Sequence, residues 1–86
     1  MKEVIEIPHT QIVMSFVATC IESTARTLNT SYRDIYQRMQ AVGMIEHYIL
    51  PHYDVLHTES RENLVAGILE YLKIREGDVF TQSGHN

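Results

Sequence analysis

The chain has 86 residues, of which 44% are apolar and 21% are charged, and its net charge at pH 7 is −4. This length allows one domain with a modest core and leaves little room for a deep substrate cleft, so we expect binding through an exposed face. The seven lysines and arginines are scattered along the chain. Because nucleic-acid affinity depends largely on such cations, nucleic acid is disfavoured and a basic protein partner fits the acidic balance better.

Cys20 is the only cysteine, so no intramolecular disulfide can form. Its place among the apolar residues of the first predicted helix indicates a buried hydrophobe rather than a nucleophile. The first eight residues contain Glu3 and Glu6 and lack the apolar core of a signal peptide. No stretch is apolar over the length that spans a bilayer. We therefore expect a cytoplasmic protein without membrane contact.

Residues 1–8 alternate loosely between apolar and acidic side chains and are predicted to form an N-terminal arm. Pro8 suits the first position of a helix, where its missing N–H would be unpaired anyway. From there the spacing of apolar residues predicts a helix to about Leu28. They cover nearly half of its circumference, so we expect neighbours on two sides. These residues are Ile12, Val13, Phe16, Val17, Cys20, Ile21 and Leu28.

A second helix is predicted after a break at residues 29–31. Ser31 is a good N-cap, and Asp34 three residues later resembles the acid of a capping box. The helix is predicted to end near Ala41, before Gly43, which suits the left-handed conformation. Its predicted core-facing residues are Tyr32, Ile35, Tyr36 and Met39.

An apolar stretch and a polar loop precede the last predicted helix. Residues 44–50 predict a short third helix, with an extended segment as the alternative, and Pro51 ends it. Residues 52–58 are predicted to form a loop that clasps the start of the last helix. Thr58 or Ser60 is the predicted N-cap of that helix.

The fourth predicted helix contains Gly67, which costs about 1 kcal/mol relative to alanine, so we expect another helix to approach it closely. Gly77 is predicted to end this helix, and residues 77–86 are predicted to form a flexible C-terminal tail. Residues 9–76 are predicted to form an all-α domain. Its architecture is a small bundle of three main helices plus one short helix, with a clasp loop before the last helix.

Several groups capable of chemistry lie between residues 47 and 57. His47, His52, Asp54 and His57 are of the types that bind zinc and other transition metals. Their spacing matches no established metal site, and Pro51 interrupts it. Neither a metal nor a cofactor is therefore predicted. A small metal-binding protein that uses Asp54 and His57 is kept as an alternative.

Asp54 and His57 are also spaced for a hydrogen-bonded pair, which is half of a catalytic triad. The adjacent Thr58 suits a helix cap, so the pair has no nucleophile. A small enzyme is thus the other form of the same alternative, and a non-catalytic protein is the prediction. The favoured interpretation is structural. It has the Asp54 carboxylate accepting the backbone N–H groups that follow it, with Val55 and Leu56 turned into the core.

Tyr48 and Tyr53 flank the loop. Tyrosine is enriched at interfaces because it offers a large, stiff contact area with one polar tip, and for this pair an interface and a core position are equally expected. Together with His52, Asp54 and His57 they are the predicted partner-binding residues. The expected partner is a protein, and a homo-oligomer is also compatible with the sequence.

A third class of function is a helix-turn-helix DNA binder, formed by the second predicted helix and residues 44–50. The low basicity of the chain argues against this alternative. Retention on DNA that depends on salt concentration would support it.

The run from Tyr48 to Thr58, followed by Leu64, Val65 and the helix to Leu72, resembles a small bacterial family known as domain of unknown function 3791. The segment Tyr-Asp-x-Leu-His-Thr within this run is fairly specific to the family. The two upstream helices complete the resemblance, which covers about residues 9–76.

The resemblance implies a short, all-helical cytoplasmic protein of a family that has no established activity. Its members are often encoded beside a second protein that looks like an ADP-ribosyltransferase. That arrangement implies a toxin–antitoxin pair in which a protein of this kind is the neutralising partner. The partner implied here is therefore the product of an adjacent gene.

Overall fold

The structure is a computed structural model, which describes the backbone of residues 9–83 and the side chains of residues 9–77. This part contains the helices α1 (His9–Leu28), α2 (Tyr32–Ala41), a π-helix (Ile45–Ile49), α3 (Tyr53–Leu56) and α4 (Arg61–Ser83), and no strand. The predicted all-α fold with three main helices is confirmed, and the predicted short third helix is a π-helix. The predicted arm at residues 1–8 lies outside the described residues, as do residues 84–86.

Helix α1 contacts both α2 and α4, so it has the two neighbours expected from its wide apolar stripe, although Ile12 and Leu28 near its ends are exposed. Cys20 of α1 is completely buried, and this burial raises the pKa of its thiol to about 12. The neighbouring Thr24 is buried too, and its hydroxyl donates a hydrogen bond of 2.8 Å to the Cys20 carbonyl. The core residues are Val17, Cys20, Ile21, Ala25, Ile35, Met39, Met44, Ile49, Leu56, Leu64, Ile68 and Leu72.

Helix α2 begins and ends as its sequence predicts. The Ser31 hydroxyl accepts a 3.0 Å hydrogen bond from the Asp34 N–H, and the Asp34 carboxylate accepts one from the Thr30 hydroxyl. Gly43 follows the helix with φ of +66°. This left-handed conformation strains any residue with a Cβ, so glycine is required for the turn.

The prediction that all four apolar residues of α2 face the core is wrong for Tyr32 and Tyr36. Ile35 and Met39 are completely buried, whereas Tyr32 and Tyr36 are 47% and 39% exposed. The reason is that α2 packs mainly on α1. One neighbour covers a narrow stripe of a helix, and the two tyrosines lie at the edge of that stripe.

Ser60 caps α4, because its hydroxyl accepts a 3.1 Å hydrogen bond from the Asn63 N–H. The prediction that Gly77 ends this helix is wrong, since α4 continues to Ser83. Gly43 is the glycine with positive φ among the described residues, so Gly77 keeps a helical backbone and does not turn the chain. None of the described helices is both long and apolar enough to cross a membrane.

Candidate functional site

The π-helix carries the chain from α2 to the candidate site. The Leu50 N–H donates a 2.9 Å hydrogen bond to the Ile45 carbonyl, five residues earlier. Pro51 follows, and a proline ring crowds the carbonyl four residues before it in an ordinary α-helix. A π turn is wider than an α turn, which gives that ring more room. The turn leaves Ile49 completely buried and Leu50 exposed.

Tyr48 lies half-buried against α4 at Gly67. A Cβ on Gly67 would be only 2.8 Å from the Tyr48 hydroxyl oxygen, so a tyrosine side chain, and not the close helix crossing that was predicted, approaches this glycine. The Tyr48 ring centroid is 4.8 Å from that of Tyr71 and 5.6 Å from that of His52. Burial raises the pKa of the Tyr48 phenol, and the negative charge of Glu59 adds to the shift.

Tyr53 attaches the single turn of α3 to the first turns of α1. Its ring meets the edges of Phe16 and His9 in T-shaped contacts, with centroids 5.4 and 5.7 Å apart. The His57 imidazole stacks on the same ring at 4.6 Å with an angle of only 8° between the planes. Tyr53 is therefore half-buried and holds α3 against α1, while Leu56 at the end of α3 lies in the core.

His52 and His57 are held in the same way. Each Nδ1 lies 2.8 Å from the backbone carbonyl four residues earlier, that of Tyr48 for His52 and that of Tyr53 for His57. A carbonyl oxygen only accepts hydrogen bonds, so Nδ1 carries the proton in both rings. In the neutral form Nε2 then presents its lone pair as an acceptor. Both rings are exposed.

The structural clasp predicted for Asp54 is wrong. The N–H groups of Val55 and Leu56 donate to the His52 carbonyl, at 3.0 and 2.8 Å, so they are already bonded within the turn. Asp54 is exposed. Val55 was expected in the core but is 60% exposed, because one helical turn that directs Tyr53 and Leu56 inward must direct the residues between them outward.

The hydrogen-bonded pair of Asp54 and His57 does not form either. The Nδ1 atom of His57 bonds to the Tyr53 carbonyl, and the ring is stacked on Tyr53. A carboxylate that orients an imidazole must accept a hydrogen bond from one of its ring nitrogens. Here the Tyr53 backbone carbonyl, and not a carboxylate, accepts the hydrogen bond that orients the His57 imidazole.

Eight of the ten residues from 50 to 59 are exposed, whereas Tyr53 is half-buried and Leu56 is buried. We use the name 50–59 face for the exposed side chains, which are Leu50, Pro51, His52, Asp54, Val55, His57, Thr58 and Glu59. Of the five predicted partner-binding residues, the structure places His52, Asp54 and His57 on this face. Tyr48 and Tyr53 support it, and their rings pack against α4 and α1 respectively.

Comparison with known proteins gives one positive finding. Residues 15–75 match the family described as Protein of unknown function (DUF3791). The chain belongs to this family. The match includes most of α1, all of α2 and the whole 50–59 face. No curated protein and no solved structure matches the chain.

Two further features of the described structure concern possible sites. No three histidine, cysteine or acidic side chains among the described residues lie close enough together to hold a metal ion. A depression of about 410 Å³ lies between α2 and α4, lined by Thr30, Asp34, Gln37, Arg38, Ala41 and Glu76. Arg38 and Glu76 are paired with each other in it by two hydrogen bonds of 2.8 Å, and the Asp34 carboxylate accepts a hydrogen bond from the Thr30 hydroxyl.

Two features of the face were not predicted from the sequence. The first is the contact of Tyr53 with His9 and Phe16, because contacts between distant helices leave no local signal. The second is the exposure of Val55, which was predicted to lie in the core. A usable signal for Val55 existed, since residues 54 and 55 cannot point inward together with residues 53 and 56 once the segment is helical.

Proposed function

We propose that this protein is a non-catalytic protein-binding module and that the 50–59 face is its contact surface. The observation that carries the proposal is the 60% exposure of Val55. A second aliphatic side chain, Leu50, is exposed in the same segment. His52 and Asp54 lie between the two in sequence, and His57 follows them. Exposed apolar groups with a polar rim are typical of protein interaction sites.

The fixed positions of the polar groups also support a binding role. The imidazoles of His52 and His57 are each held by a hydrogen bond to a carbonyl, and His57 is also stacked on Tyr53. Side chains that are already ordered lose little entropy when a partner docks, so more of the contact energy contributes to affinity.

In its specific form, the proposal is that the partner is encoded by an adjacent gene and is an ADP-ribosyltransferase-like toxin. This protein would neutralise that toxin in the bacterial cytoplasm. The support is the resemblance to a family whose members are often encoded beside such a protein. Neutralisation by direct binding requires an exposed surface that the fold does not use for its own packing, and Val55 and Asp54 meet that requirement.

The test is to co-express the protein with the product of the adjacent gene and to separate the mixture by size-exclusion chromatography. We expect a stable complex, and we expect the neighbouring protein alone to slow growth of the host. If the two proteins elute separately and the neighbour alone is harmless, the proposal is wrong.

The matched variants for this experiment are Val55→Ala and Ile74→Ala. Both residues are exposed aliphatic side chains, at 60% and 52%, but Ile74 lies on α4 outside the face. We expect Val55→Ala to raise the dissociation constant about tenfold, as for a moderate interface anchor. Ile74→Ala should leave it unchanged. Equal effects of the two variants would show that the partner binds elsewhere.

A further inference from the structure

The charges of the chain are unevenly distributed. No lysine or arginine occurs between Arg38 and Arg61, while Glu46, Asp54 and Glu59 fall in that interval. The 50–59 face therefore carries the charges of Asp54 and Glu59 without any permanent positive charge of its own.

Two carboxylates elsewhere are paired within the fold. Glu22 pairs with Arg26 at 2.8 Å, and Glu76 pairs with Arg38 through two hydrogen bonds. In the part of the chain that the structure describes, Asp54 and Glu59 take part in no ion pair. The Glu59 carboxylate accepts a long hydrogen bond of 3.4 Å from the neutral side chain of Asn63, which leaves its charge uncompensated. Both charges are thus available for a partner.

The face also brings these charges next to apolar groups. Asp54 and Val55 are adjacent in α3 and both are directed outward. Glu59 follows α3 directly, because its N–H donates a 3.1 Å hydrogen bond to the Leu56 carbonyl. A partner that covers Val55 therefore comes near two carboxylates that form no ion pair among the described residues.

From this arrangement we infer that the partner presents a basic protein surface to the 50–59 face, with lysine or arginine side chains opposite Asp54 and Glu59 around an apolar contact with Val55. The inference rests on the proposed function and specifies the chemistry of the partner. An acidic partner surface would place like charges together, which costs several kcal/mol at an interface. Nucleic acid and anionic lipid surfaces are repelled for the same reason.

The test compares two variants that change the net charge by the same amount. The first is Asp54→Asn with Glu59→Gln, which removes two negative charges from the face and keeps side-chain size and an acceptor oxygen. The second is Gln37→Lys with Gln40→Lys, which adds two positive charges on the exposed side of α2. The binding partner is the purified product of the adjacent gene, and the measurement is the association rate between 50 and 500 mM NaCl, roughly the range in which charges become screened.

We expect the association rate of the unaltered protein to fall steeply with salt, as it does for complementary charged surfaces. The Asp54→Asn, Glu59→Gln variant should associate about tenfold more slowly at low salt and depend less on salt. The Gln37→Lys, Gln40→Lys variant should remain within about twofold of the unaltered protein, because its added charge lies outside the face.

Three outcomes would overturn the inference, and they are distinguishable from one another. If a complex forms but its association rate is independent of salt, or if both variants behave alike, the partner surface is not basic and the proposed function stands. If no complex forms at all, the proposed function fails and the inference fails with it. If the face binds a 30-base-pair DNA duplex and the charge-removing variant binds it more tightly, the partner class is wrong.

Discussion

The α2–α4 end of the bundle and the 50–59 face each carry two carboxylates, and the two regions use them differently. Glu76 is held by Arg38, and Asp34 accepts a hydrogen bond beside the N-cap of α2. Asp54 and Glu59 have no ion pair among the described residues. The same contrast holds for aliphatic residues, since Ile68 of α4 is completely buried and Val55 is 60% exposed. Changes in the first region should therefore alter stability, and changes in the second should alter binding.

The largest effect is expected in the core. Ile68→Ala removes a completely buried side chain and should lower the free energy of unfolding by about 2–5 kcal/mol, through lost transfer free energy and the cavity left behind. Denaturant unfolding followed by circular dichroism measures it. Ile74→Ala on the same helix is the control and should change stability by less than about 0.5 kcal/mol. Similar losses in both variants would mean that α4 does not pack as described.

The next largest effect is expected in α3, where a residue that supports the fold and a residue of the 50–59 face lie two positions apart. Tyr53→Ala removes a half-buried ring that contacts Phe16, His9 and His57, and should lower the free energy of unfolding by about 2 kcal/mol, since each aromatic pair contributes about 0.5–1.5 kcal/mol. Val55→Ala, two residues away, should change it by less than about 0.5 kcal/mol. Thermal unfolding of the two variants side by side provides the comparison.

Tyr53 is for this reason a poor probe of partner binding, although its sequence position suggests an interface. A loss of affinity in Tyr53→Ala could come from a lost contact with the partner or from α3 detaching from α1, and the variant would not distinguish the two causes. Tyr53→Phe keeps the ring and its packing, so an unchanged stability with weakened binding would show that the hydroxyl contacts the partner. If Tyr53→Ala is as stable as the unaltered protein, the support that we assign to Tyr53 is wrong.

The helices could be predicted because their signals are local. Ser31 and Ser60 cap the helices that follow them, Gly43 provides the left-handed turn, and apolar spacing in α1 indicates its two packed sides. The family, too, was recognisable from a short segment near Tyr53. These features depend on residues within a few positions of one another, where helix geometry determines which side chains meet.

The errors arise where the outcome depends on distant residues. Apolar spacing gives the direction of the buried stripe of α2 but not its width, so Tyr32 and Tyr36 were placed in the core. The width depends on how many helices pack there. Gly77 carries a termination signal, but glycine in a helix costs only about 1 kcal/mol. Whether that cost stops a helix depends on the rest of the chain.

A smaller effect tests how the two regions are joined at Gly67. Gly67→Ala should gain about 1 kcal/mol of helix propensity, but its Cβ would lie 2.8 Å from the Tyr48 hydroxyl and force that ring to move. We therefore expect little net gain from Gly67→Ala alone. In a Tyr48→Phe background the hydroxyl is absent, and the same substitution should stabilise the protein by about 0.5–1 kcal/mol. Denaturant unfolding of the four proteins gives the coupling energy, and strict additivity would contradict the close contact.

The smallest effect concerns the ion pair that joins α2 to α4. Glu76→Gln should lower the free energy of unfolding by about 0.5 kcal/mol at pH 7, because the pair is partly exposed and solvent screens it. Its hydrogen bonds with Arg38 lower the pKa of the Glu76 carboxyl below its usual 4.5. A carboxyl whose pKa is lower in the folded protein contributes stability above its unfolded pKa and loses it as the pH falls through the folded value. The difference between Glu76→Gln and the unaltered protein should thus be complete at pH 7 and should disappear on acidification below its usual pKa.

The control is Glu22→Gln, which breaks the more exposed pair within α1. It should lower the free energy of unfolding by about 0.3 kcal/mol. A larger loss from Glu22→Gln than from Glu76→Gln would mean that the contact between α2 and α4 adds nothing beyond a pair within one helix.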